Sequence, residues 1–181
     1  MAAKIPAHVL IASFRFETAA GDALTRLKNA AKTQGLGIHN AAVLKVSDEG
    51  KLSIKETADM TGRKGAVVGG VVGGVIGILG STVLLPLGIG AAVGGLAAKL
   101  RDSGFPNQKL EDIGSRVQPG DSLLIVAVDE KAVEPAVAIL KHYGAEVVRE
   151  AIDGKVAEEL EVAEPAEAPA GATPAELHSS G

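Results

Sequence analysis

The sequence predicts an α+β fold: a ferredoxin-like sandwich interrupted by a glycine-rich hydrophobic helical hairpin and followed by a flexible acidic C-terminal tail. Three observations predict it. Two stretches share one strand–helix–strand plan, "VLIASF" through "GIHNAAVLKV" near the start and "LLIVAV" through "GAEVVREAI" near the end. Between them, from Gly65 to Ala98, there is no charged side chain. Beyond Ile152 the composition turns to Ala, Pro and Glu. Two such units with their helices on one face of an antiparallel sheet give the ferredoxin-like arrangement. The divisions are 1–60 for its first half, 61–104 for the hairpin, 105–156 for its second half and 157–181 for the tail.

The elements follow in order. "HVLIASFRF" is β-branched and apolar at strand length, too short for the apolar core of a secretory leader, so any membrane entry is by an internal anchor. "TAAGDALTRLKNAAKTQG" places Ala20, Leu24, Leu27 and Ala31 at helical spacing, with Gly35 as the stop. "IHNAAVLKVSDEGKLSIKETAD" reads as a hairpin turning at "DEG", with Leu52 and Ile54 alternating against Lys51, Ser53 and Lys55. "NQKLEDIGSRV" is a short helix closed by Pro119-Gly120. "DSLLIVAVDE" is a buried-type strand, and "KAVEPAVAILKHYG" a helix ending at Gly144, with Pro135 in its first turns, where a missing N–H does least harm. "AEVVREAI" is the last strand. The expected spatial order is five, one, four, two, three. The tail has too few large apolar residues to offset its ordering entropy.

The central block carries glycines at four-residue spacing: Gly65, Gly69, Gly73 and Gly77, then, past Pro86, Gly90, Gly94 and Ala98. On a helix such rows form a smooth groove that lets two backbones approach closely, as in lipid-embedded helix pairs. Each glycine costs about 1 kcal/mol relative to alanine in a helix interior, so an isolated water-exposed helix is untenable. As one helix the block would run roughly 50 Å, beyond a hydrocarbon core of about 30 Å. Pro86 is therefore the expected hairpin turn, dividing arms of about 18–20 and 12–14 residues, the second short for a full span. Arg63 and Lys64 at one end and Lys99 and Arg101 at the other then lie at one membrane surface, as the positive-inside tendency favours. Two alternatives to the inserted hairpin are a dry helical core in a soluble homo-oligomer and a nucleotide loop. The last fails because "LLPLGIGAAVGGLAAKL" is not followed by a strand ending in an acid at the required distance.

The chain has 181 residues, with 18 Lys and Arg against 22 Asp and Glu, a net charge of −4. With that balance and only Phe14, Phe16, Phe105 and Tyr143 as aromatics, a nucleic-acid partner is not expected. The absence of cysteine excludes disulfides and thiolate chemistry. His8, His39, His142 and His178 have no metal-ligand spacing and are expected at solvated or edge positions. Glu56 and Asp59 in "KETADMTGRKG" suggest a solvated turn, with Thr61 capping the first hydrophobic helix. No catalytic, cofactor or metal residue emerges.

The chain resembles the bacterial domain-of-unknown-function family number 1269. The resemblance runs over residues 8 to about 152 and rests on "VLIASF…ETAAGDALTRLK", the run "IHNAAVLKVSDEGKLSIKETADMTGRKGA", the glycine-rich block and "PGDSLLIVAV…GAEVVREAI". It implies a small membrane-associated protein without assigned catalysis. The expected function is thus a non-enzymatic protein of the cell membrane that self-associates through Gly-x3-Gly packing. Its α+β head would face the cytoplasm, and its acidic tail is a candidate contact for a basic partner. The alternative is a cytoplasmic, soluble self-assembling scaffold whose hairpins form an apolar core or channel holding a partner protein or a lipid-like molecule. A small-ligand sensor built on the sheet is a third possibility, by fold analogy alone.

Overall fold

Where a strand is apolar at every position, both of its faces need cover, and the architecture follows from that need. The computed structural model describes residues 8–59, 70–82, 98, 100–103 and 105–162. In chain order the elements are β1 (His8–Phe14), α1 (Ala19–Gln34), β2 (Ile38–Val46), β3 (Leu52–Asp59), α2 (Gly70–Thr82), α3 (Asn107–Arg116), β4 (Ser122–Val128), α4 (Val133–His142), β5 (Glu146–Ala151) and α5 (Gly154–Val162). A single 3-10 turn, Glu130–Ala132, leads into α4.

The protein is α+β, with one five-stranded antiparallel sheet in the order β3-β2-β4-β1-β5. This is the order expected from the sequence, written from the other edge. β1 pairs with β4 from His8↔Val128 to Phe14↔Ser122, and with β5 from His8↔Ala151 to Ser13↔Glu146. β2 bridges β3 and β4, with register shifts at Val43/Leu44 and between Ile38 and Ala41.

Local chemistry sets the ends of these elements. Gly35 closes α1 in the left-handed region at φ 65°, where a side chain would be strained. The start of α1 is held by an unusual cap. Thr18 makes no side-chain cap; instead Ser122 Oγ, fully buried at the start of β4, accepts from Ala20 N at 3.3 Å and donates to Phe16 O at 2.6 Å. The β2–β3 turn closes with Gly50 N donating to Ser47 O and Ser47 N to Lys51 O, at 2.9 and 2.8 Å. The hydrogen bond from Lys51 to exposed Glu49, and then its charge, holds that carboxyl below the ordinary glutamate value.

The sheet has helices on both sides, which corrects the expected two-layer sandwich. On one face α1 and α4 cover Leu10, Ala12, Phe14, Val43, Leu124 and Val126. On the other, α2, α3 and α5 cover Val9, Ile11, Leu44, Leu123, Ile125 and Ala127. The reason is visible in β1 and β4: residues 9–12 and 123–128 alternate between the two clusters and are all buried. A strand apolar on both sides is the pattern of a doubly covered sheet.

Two further findings concern the chain's middle and end; most of the expected hairpin, with its turn at Pro86, lies outside the described residues. Among the described residues no membrane hairpin is found, and no helix is long and apolar enough to cross a membrane. α2 has 13 residues, about 20 Å of helix against a hydrocarbon thickness of about 30 Å. At the C-terminus, residues 157–162, assigned to the flexible tail, complete α5. Ala157 and Leu160 lie three apart and are fully buried in the second-face core. Residues 163–181 lie outside the described set.

Truncations at neighbouring β4 positions read the two layers separately. Leu124→Ala on the α1/α4 face and Ile125→Ala on the α2 face should each lower unfolding free energy by about 2–5 kcal/mol in urea titrations. A loss below about 1 kcal/mol at Ile125 alone would show that the second helical layer does not pack.

Candidate functional site

The sequence singles out the glycine rows, and α2 carries the described part of them. Val71, Val72, Val75, Ile76, Ile78 and Leu79 are fully buried, and Gly70, Gly73 and Gly74 are buried between them. Gly77 is half-buried. From Gly70 to Leu79 the helix carries no polar side chain, and it lies against β2 and β4 with α3 and α5 alongside. The energetics favour this placement. Burying six aliphatic side chains at about 1.5–3 kcal/mol each exceeds the helix-propensity cost of five glycines at about 1 kcal/mol each.

The remaining site residues divide clearly. Ala98 and Arg101 are helical and exposed, and Leu100 between them is fully buried in the second-face core. Gly65, Gly69, Gly90, Gly94, Pro86, Arg63, Lys64, Lys99 and Thr61 lie outside the described residues. The described structure thus brings Gly73 and Gly77 into the sheet's second core and keeps Ala98 and Arg101 at the surface.

A polar arrangement missed by the sequence reading sits where β4 ends beside the start of β2. His39, expected at a solvated or edge position, is 6% exposed, and its Nε2 lies 2.8 Å from Asp129 Oδ1. Asp129 N also donates to Gly37 O at 2.8 Å, so backbone and side chain together fasten the two strand ends. Gly37 permits the approach: a Cβ there would sit 2.1 Å from Asp129 Oδ2. A buried imidazole–carboxylate pair can hold and orient a proton, and it also fixes structure, because separating such groups leaves desolvated polar atoms. The sequence signal was indirect. The predicted order already set β2 beside β4; only their register brings residues 90 apart into contact.

Two carboxylates also change assignment. Glu56 and Asp59 belong to β3 rather than a turn, and Glu56 pairs with Lys28 of α1. His142 is exposed on α4, its ring edge-to-face with Tyr143 at 5.7 Å. Among the described residues no group of three or more His, Asp or Glu side chains could hold a metal ion.

With this geometry in place, comparison with known proteins gives one match. The model of a family described as "Protein of unknown function (DUF1269)" matches residues 66–163, more than half of the chain. The match takes in the glycine-rich block, β4, α4, β5 and α5 and leaves out β1 through β3, which the sequence resemblance had included. No curated protein and no solved structure matches.

Paired glycine substitutions separate close approach from simple helix propensity. Gly21, inside α1, has nothing within 4 Å of an added Cβ, so Gly21→Ala should raise stability by up to about 1 kcal/mol. Gly37→Ala should lower it by about 1–3 kcal/mol through displacement of Asp129 from His39. Thermal or urea unfolding reads both, and equal effects at the two positions would remove the structural role given to the pair.

Proposed function

The chain belongs to the DUF1269 family of proteins of unknown function, and on that footing we propose that it is a non-enzymatic, self-associating scaffold. In this reading α2 serves the protomer's own core, and the second small-residue row, Gly90, Gly94 and Ala98, is the seam between copies. One observation supports the choice over a membrane-inserted hairpin: Val71, Val72, Val75, Ile76, Ile78 and Leu79 of α2 are fully buried in the core this chain builds on the second face of its own sheet. The exposed, helical Ala98 supports placing the seam on the second row, since small residues let helix backbones approach closely. The two strand–helix–strand units, with β3 as an added edge strand, support a ferredoxin-like ancestry for the body. Association of this kind needs no catalytic residue, and the acidic residues beyond α5 offer a contact for a basic partner.

Detergent-free fractionation followed by light scattering tests the proposal. The protein should remain in the supernatant as one defined oligomer. Ala98→Leu should lower its mass while leaving the monomer folded, whereas Gly73→Leu should destabilise the fold itself by about 1–3 kcal/mol through overpacking. Recovery only in detergent would overturn the reading in favour of an inserted hairpin. An unchanged oligomer after Ala98→Leu would remove the seam.

A further inference from the structure

A cleft of about 220 Å³ opens at the β5 edge of the sheet, where α3 passes over β1 and β5. Its apolar surface comes from Ile11 of β1, Val148 of β5, and Ile113 and Val117 at the C-terminal end of α3. The charged surface is mixed. Helical spacing puts Lys109, Asp112 and Arg116 on the wall of α3, Glu146 stands on β5, and Arg15 and Asp121 close the end.

Some of these charges are already engaged. Asp121 is buried and accepts from Gln118 N at 2.8 Å and from Arg15 at 3.4 Å. Lys109 pairs with Glu150. Among the described residues, Arg116, Asp112 and Glu146 make no side-chain hydrogen bond or ion pair, and neither does the half-buried Ser13 hydroxyl, which lines the same cleft.

The geometry points to a binding site for a small zwitterion with an apolar body, the class of an α-amino acid with an aliphatic side chain. Size sets the first limit: drug-sized ligand sites occupy about 300–1,000 Å³, so this cleft fits a smaller molecule and not a nucleotide or a lipid chain. Charge sets the second. The lining carries three cations, Arg15, Lys109 and Arg116, and three anions, Asp112, Asp121 and Glu146, so it favours neither a bare anion nor a bare cation, and the complementary ligand carries one group of each sign. Its ammonium meets Asp112 and Glu146, its carboxylate meets the planar fork of Arg116, and its side chain lies on Ile11, Ile113 and Val148. Neither α2 nor Ala98 lines the cleft, so the proposal does not rest on self-association.

Titrations followed by the amide spectrum of the isotope-labelled full chain test this with three compounds: L-leucine, leucine amide without the carboxylate, and N-acetyl-leucine without the ammonium. Leucine should shift Ser13, Ile113 and Val148 saturably, with each analogue about tenfold weaker or more. Arg116→Gln should abolish the advantage of leucine over its amide but keep its advantage over N-acetyl-leucine; Glu146→Gln should do the reverse. No saturable shift by about 10 mM leucine, or equal binding of the three compounds, overturns the assignment. If a variant loses its dispersed spectrum, the three-compound series on the unaltered chain decides.

Discussion

β1 and β4 occupy the middle of the sheet and send large aliphatic side chains toward both of its faces. Leaving one such side chain in water forfeits about 1.5–3 kcal/mol, while the whole net stability of a domain is only about 5–15 kcal/mol. A handful of uncovered positions on either face would therefore abolish the sheet. Double helical cover is the condition for its existence, and every helix described here lies in one cover or the other.

That condition explains a helix made almost wholly of valine, isoleucine and glycine. A run of valine, isoleucine and glycine packs equally well against lipid-embedded helices or against an apolar sheet, because both environments are dry and both reward close backbone approach. Composition cannot distinguish them. For α2 the neighbours are Leu44, Leu123 and Ile125 of the chain's own strands and Leu110 and Leu160 of the flanking helices. From Gly70 to Leu79 there is no polar stripe, as expected of a helix packed against a sheet and flanking helices.

Much of the topology was legible in the residues. Strand-length apolar runs, the helical spacing of Ala20, Leu24 and Leu27, and the stops at Gly35 and Gly144 placed the elements, and the repeated plan gave the strand order. The second helical layer was not read, although "LLIVAV" held the signal: an unbroken apolar run, in place of alternation, means that both sides are covered. α5 was missed because three of its nine residues are Glu and only Ala157 and Leu160 are fully buried. The His39–Asp129 pair depends on a register shift in β2, a detail that side-chain pattern does not encode. The cleft depends on where α3 crosses the sheet, which is set by packing at a distance.

The position of β4 between β1 and β2 has a consequence for biosynthesis. A nascent chain delivers β1, β2 and α2 well before β4, so the sheet's central gap stays open while the apolar helix is already outside the ribosome. At about 5–20 residues per second this interval is on the order of several seconds, long compared with hydrophobic collapse. Throughout it, holdase chaperones and lipid surfaces compete for a helix whose native shelter is still incomplete, because β4 has not yet emerged.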